Sequence, residues 1–255
     1  MMKVLSLDLD YITTDYARFL DNNQFSIYVY ERWDKLFNGS PLIPADFNVD
    51  PSNFMFLFDL FTKSIPNCKN VVFGQEHDSI LYELDSVTEK LEIVNVDQHH
   101  DIAYTWDQIK RCEKYNVIGE GSWVWYLKMN KMIDSYTWIK TQSSEEYNID
   151  LYSPDDPPSR HLPDLDFDYR STTRDQIQEF SDYDFDLIYV SMSPQYVAPQ
   201  HWFYGEVLIT AYKNYHQTMP KFITEKYRWD FSKHNLPSEL NLSKHSTNLN
   251  NQKVI

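Results

Sequence analysis

Three short apolar runs in this chain end alike, in carboxylates and imidazoles, and that repetition constrains both fold and chemistry. They are Val4-Leu5-Ser6-Leu7-Asp8-Leu9-Asp10, Val71-Val72-Phe73-Gly74-Gln75-Glu76-His77-Asp78 and Ile93-Val94-Asn95-Val96-Asp97-Gln98-His99-His100-Asp101. Short apolar runs stopped abruptly by polar residues read as buried strands. Ligands of open α/β sheets bind outside the carboxyl ends of the strands. If these strands are parallel neighbours, the polar ends converge on one place.

The rest of the chain supplies the elements such a sheet needs. Asp50 is placed to cap a helix that opens with Pro51, the pairing favoured at helix starts. Phe54, Leu57, Phe58 and Phe61 follow at helical spacing, a stripe expected in the core. Helices are also expected over 123–132 and 204–215, and strands over 136–139 and 185–192. Alternating strands and helices predict an α/β fold, a three-layer α/β/α sandwich on a mainly parallel sheet. Residues 1–237 are expected to form one domain. It would carry an irregular acidic insertion at about 143–186 and be followed by a polar, disordered tail at 238–255.

A formal charge of −15 disfavours nucleic acid and anionic membrane as partners and favours cationic ones. Only 5 glycines are present, with neither a G-x-G-x-x-G fingerprint nor a phosphate-cradling Gly-Lys-Ser/Thr sequence. The 2 cysteines make no disulfide framework. No long apolar stretch marks a signal peptide at the start, and the densest apolar run, 54–58, is too short to span a bilayer. A cytoplasmic location is the expectation.

Four aspartates, Asp8, Asp10, Asp97 and Asp101, brought together without compensation would repel one another. Divalent cations remove that penalty, and neutral imidazoles from His77 and His99 complete the coordination. Such an oxygen-rich set suits manganese first, with iron, cobalt or zinc as alternatives. The motifs contain no cysteine, which argues against a structural zinc. Asp97, His99 and Asp101 alternate, so in extended geometry they share a side and can serve one metal pair.

Asp97-Gln-His99-His-Asp101 resembles the Asp-Ala-His-x-Asp signature of the arginase and agmatinase family. Gly74-Gln-Glu-His77 resembles its Gly-Gly-Asp-His, and Ser6-Leu-Asp8-Leu-Asp10 its Ser-x-Asp-x-Asp. The last of these stands first here, an order similar to a circularly permuted branch that includes the peptide arginases. Glu120-Gly-Ser-Trp123 and Val190-Ser-Met-Ser-Pro194-Gln-Tyr196 also look like that branch, and the likeness spans residues 3–202. The resemblance implies an arginase/deacetylase-like fold and a binuclear manganese centre. In it Asp8 and Asp97 would bridge, with His77 and Asp101 on one ion and His99 and Asp10 on the other. It also implies an arginine-containing precursor peptide as partner and substrate, converted to ornithine with release of urea. Three departures stand out: Thr13 and Thr14 replace an Asp-Pro, Gln75 replaces a Gly, and 120–123 lacks the family's Asn and His.

Hydrolysis of a guanidinium needs an activated water and an acid for the departing amine. His100 and Glu76 are the candidate proton carriers, and Asp78 and Glu120 the candidate carboxylates for the substrate cation. Two other readings use the same residues. Asp8 and Asp10 after a strand also fit a haloacid-dehalogenase-like phosphatase. A non-catalytic, metal-stabilised peptide-binding protein would need the ligands but no proton carrier.

Overall fold

In the computed structural model, residues 1–14, 48–68, 70–144, 164–177, 183–194 and 196–223 are described. The strands are β1 (Met2–Asp8), β2 (Asn70–Gly74), β3 (Leu91–Val96), β4 (Ile133–Lys140), β5 (Asp168–Thr173), β6 (Leu187–Ser191) and β7 (Lys221–Ile223). They form one sheet in the order β5-β4-β3-β1-β6-β2-β7, and every pairing in it is parallel. The helices are α1 (Pro51–Ser64), the one-turn α2 (Leu81–Leu84), α3 (Trp106–Tyr115), α4 (Trp123–Met129) and α5 (Phe203–His216).

A parallel sheet is covered on both faces, so its strands are apolar on both sides. On one face Val4, Ile93 and Leu187 pack with Leu81, Ile109, Cys112, Trp123 and Leu127 from α2, α3 and α4. On the other, Leu5, Leu7, Val94 and Val190 meet Phe54, Leu57, Leu60 and Phe61 of α1 and Leu208 of α5. The molecule is the α/β/α sandwich that the alternation of strands and helices predicts. Asp50 caps α1 by accepting the Ser52 N–H at 2.8 Å, with Pro51 in the first turn. Of the expected aromatic stripe, Phe54, Leu57 and Phe61 are buried and Phe58 packs at the core's margin.

Four features depart from the sequence reading. The expected 123–132 helix stops at Met129, because Lys131 adopts φ 54°. The amide of Met132 then bonds Leu127 O at 2.9 Å and that of Lys131 bonds Lys128 O at 2.8 Å. That is a left-handed helix stop that normally carries glycine. The stretch expected to be irregular contains β5, an edge strand whose outward side chains are polar and so hide its periodicity. α3 and β7 were not foreseen; α3 declares itself through its Thr105–Gln108 capping box. Finally, the three ligand-bearing strands are not all neighbours, since β6 separates β1 from β2. The parts at 145–163 and 178–182, and the expected tail at 238–255, lie outside the described residues. Among the described residues, no helix is long and apolar enough to cross a membrane.

Candidate metal centre

The chain turns in opposite directions on either side of β1: β3, β4 and β5 lie to one side, and β6, β2 and β7 to the other. Such a switch point opens a crevice above the carboxyl ends of the strands. Asp8 ends β1 and caps the 3-10 turn Leu9–Ile12, its Oδ1 accepting the Asp10 N–H at 2.8 Å. From this turn Asp8 reaches His77 and Asp10 reaches His99. Asp97 follows β3, tied to β4 by its N–H to Ile139 O at 3.2 Å and by Trp138 Nε1 donating to its carbonyl at 3.0 Å.

His77 must reach the centre from β2, across β6. Gly74 ends β2, and a Cβ there would collide with the Tyr189 hydroxyl. Without it, Tyr189 of β6 slides beneath, donates its hydroxyl to Glu76 O at 2.6 Å and stacks on the His77 ring at 9°. The 3-10 turn His77–Ile80 therefore starts in a fixed place.

The distances describe a ligand cage. His77 Nδ1 lies 3.0 Å from Asp8 Oδ2, 2.9 Å from Asp97 Oδ2 and 2.9 Å from Asp101 Oδ2. One ring N–H cannot serve three carboxylates, and this buried nitrogen has no hydrogen bond of acceptable direction. Ligands ~2.1 Å from an octahedral cation sit roughly 3.0 Å from one another, which is the spacing found. Beside this group, His99 Nδ1 is 2.8 Å from Asp10 Oδ2 and 3.8 Å from Asp97 Oδ1. Two ligand sets follow, Asp8–His77–Asp97 and Asp10–Asp97–His99. Asp97 belongs to both, with Oδ2 toward His77 and Oδ1 toward His99. The residues present fit a pair of divalent cations.

Electrostatics support this fit. Burial and the charge of Asp10 raise the Asp8 carboxyl above its usual range, and burial and Asp97 do the same to Asp10. Burial, Asp101 and Asp8 push Asp97 up to about 7. Burial opposes charging of both histidines. At His77 the nearby carboxylates, Asp101 foremost, win and raise it well above normal; at His99, Asp10 and Asp97 raise it to about 10. Without cations the cluster holds itself together by sharing protons. Divalent ions bound there would replace those protons.

One row of the sheet supports the cage. Asn95, Ser6 and Tyr189 are register partners on β3, β1 and β6, and Asn95 pairs with Trp138 on β4. Each carries a polar atom upward. Ser6 Oγ contacts His77 Nε2 at 2.5 Å, and Asn95 Nδ2 reaches Asp97 Oδ2 at 3.3 Å. Further donors come from elsewhere: Ser193 to Asp8 Oδ2 at 2.7 Å and Trp123 Nε1 to Asp101 Oδ2 at 2.7 Å. Asp101 and Ser193 have φ of 52° and 39°, left-handed conformations that cost non-glycine residues energy and cluster at functional sites. These supporting residues were missed as such by sequence reasoning. The available signal was a buried polar residue, Ser6 or Asn95, inside an otherwise apolar strand.

The remaining candidates sit around the cage rather than in it. His100 turns its ring onto Tyr104, 4.3 Å between centroids, and its Nδ1 accepts the Ile102 N–H at 3.1 Å. Burial, with the nearby His99, pushes it down to about 3, so it stays neutral. Glu76 is half-buried just before His77, and Asp78 is buried within the His77–Ile80 turn. Glu120 opens the 3-10 turn Glu120–Ser122, and its side chain lies outside the described part. His99, with 30% of its side chain exposed, marks the mouth of the centre, flanked by Tyr104 and Tyr196.

No protein-family model matches the chain, and neither does any curated protein or solved structure.

Proposed function

We propose that this protein is a binuclear metal hydrolase that cleaves the guanidinium of arginine residues in a peptide, giving ornithine and urea. The observation that carries the metal part is Asp97, which offers one carboxylate oxygen to each of two adjacent Asp/His sets. The choice of guanidinium and of peptide rests on the likeness of the three motifs to the permuted arginase branch. Asp8, His77, Asp97 and Asp101 would hold one ion, and Asp10, Asp97 and His99 the other, with manganese favoured by the oxygen-rich set.

When bound, the cations supply Lewis acidity that lowers the pKa of a water toward neutrality. The chain's own residues do the rest. Ser6, Asn95, Ser193 and Trp123 fix the ligand oxygens and nitrogens by hydrogen bonds. The half-exposed edge at His99 is the way in for a side chain. In the reaction a C–O bond forms to water, a C–N bond breaks, and the amine leaves as ornithine with a proton. Glu76, half-buried beside His77, is the better candidate to carry that proton, because His100 is held neutral.

The test is mass spectrometry of an arginine-containing peptide incubated with manganese-loaded protein. Loss of one carbon and two nitrogens from the peptide, with stoichiometric urea, is the expected result. An unchanged peptide alongside two bound ions would remove the arginine reading. The phosphatase alternative, built on Asp8 and Asp10, gives His77 and His99 no role, whereas here Asp8 faces His77 and Asp10 faces His99.

A further inference from the structure

A second polar recess opens beyond the metal centre, over the ends of β4 and β5. It has a volume of about 240 Å³ and is lined by Tyr11, Asp50, Asn53, Lys140, Thr141 and Arg174, among others. Pockets for drug-sized ligands run from roughly 300 to 1,000 Å³, so this one suits something smaller. Its wall is joined to the metal ligands through Gln98. That residue accepts a hydrogen bond from Thr141 Oγ1 at 2.7 Å, and its backbone N–H donates to Asp10 Oδ1 at 3.3 Å.

The charges in the recess are loosely matched. Among the described residues Arg174 makes one short bond, Nη1 to Asn53 Oδ1 at 2.7 Å, and Asn53 is buried and braced on Tyr11 O at 3.1 Å. Its further contacts with described residues are long, 3.6 Å from Nη2 to Asp50 Oδ2 and 3.6 Å from Nε to Asp175 Oδ1. At 3.6 Å these are charge contacts, not hydrogen bonds. The guanidinium thus keeps donors for a planar oxyanion, and both aspartates keep acceptors for a cation. Tyr11 lines the same recess, and its buried hydroxyl has no hydrogen-bond partner among the described residues. A buried polar group left unpaired costs roughly 1–3 kcal/mol, and a bound polar ligand accounts for it.

We propose that this recess binds the zwitterionic head of a free α-amino acid, its carboxylate on Arg174 and its ammonium toward Asp175 and Asp50. Two cations, Lys140 and Arg174, and two carboxylates, Asp50 and Asp175, line the recess together, Arg174 lying 3.6 Å from each aspartate. A simple anion would meet the aspartates and a simple cation the guanidinium. A zwitterion satisfies both. The site stands apart from the hydrolase reading, because none of its charged groups is a metal ligand.

The test is calorimetric titration of the full-length, manganese-loaded protein with glycine, acetate and methylammonium separately. Glycine is expected to bind about tenfold or more tightly than either half-ligand. Arg174→Gln and Asp175→Asn should each weaken glycine by about tenfold. Asp175 is exposed, so its substitution keeps the test meaningful if Arg174→Gln fails to fold. Acetate binding as tightly as glycine would reduce the recess to an anion site and overturn the proposal. So would the absence of glycine binding, or a glycine affinity that neither Arg174→Gln nor Asp175→Asn alters.

Discussion

Ser6 Oγ and His77 Nε2 lie 2.5 Å apart in a buried contact. With the proton on Nε2, the lone pair of Nδ1 faces Asp8, Asp97 and Asp101, as a metal ligand must. Partners that orient a ligating histidine are worth about 10–100-fold in metal affinity. Ser6→Ala should therefore weaken the ion at His77 by about 10-fold or more, and Ser6→Thr should restore part of it. Manganese titration by calorimetry reads both; equal affinity in Ser6→Ala and wild type would show that the serine does not set the tautomer.

Asp97 is the residue common to both ligand sets. Asp97→Asn should reduce manganese in the purified protein well below what His99→Ala or Asp10→Asn loses. The latter two are expected to retain the ion at His77. Elemental analysis after dialysis distinguishes these cases, and full retention of metal by Asp97→Asn would separate the two sets.

Gly74 and Tyr189 occupy the same space in alternative ways. Gly74→Ala should displace the Tyr189 ring, break its bond to Glu76 O and move His77. Overpacking of this kind costs about 1–3 kcal/mol, and metal affinity should fall with it. Tyr189→Phe in the same chain should recover part of the loss by removing the colliding hydroxyl. Thermal melts with and without manganese check both steps.

The protonated cluster of the metal-free protein makes its stability depend on pH. His99 is raised to about 10 from its ordinary value of 6.5. Its contribution is present below 6.5 and is lost as pH rises through about 10. Below 6.5 the shifts of Asp97 and His100 oppose each other, since one is raised and the other lowered. Chelator-treated protein should melt progressively lower from neutral to alkaline pH, by ~3 °C or more. Manganese-loaded protein should not follow that fall, because cations replace the protons. A flat profile without metal would contradict the shared-proton description.

The strand ends that carry Asp8, Asp97 and Asp101 were legible in the sequence because apolar runs of strand length stop abruptly at acids. The helix α1 was legible through Asp50 and Pro51, and the α/β class through simple alternation. β5 was not, since an edge strand needs only one apolar side and Asp168–Thr173 shows little of it. The end of α4 was not either, because a lysine occupies the left-handed position where glycine is the usual sign.

Local chemistry along the chain determines which residues are metal-ligand types and which segments form strands, because both depend on neighbours a few positions away. It does not determine that His77 crosses β6 to meet Asp97, nor that Asn95, Ser6 and Tyr189 line up beneath them. Strand order and register decide those meetings. They are set by how both faces of the sheet are packed and by one missing Cβ at Gly74, and no window of sequence contains them.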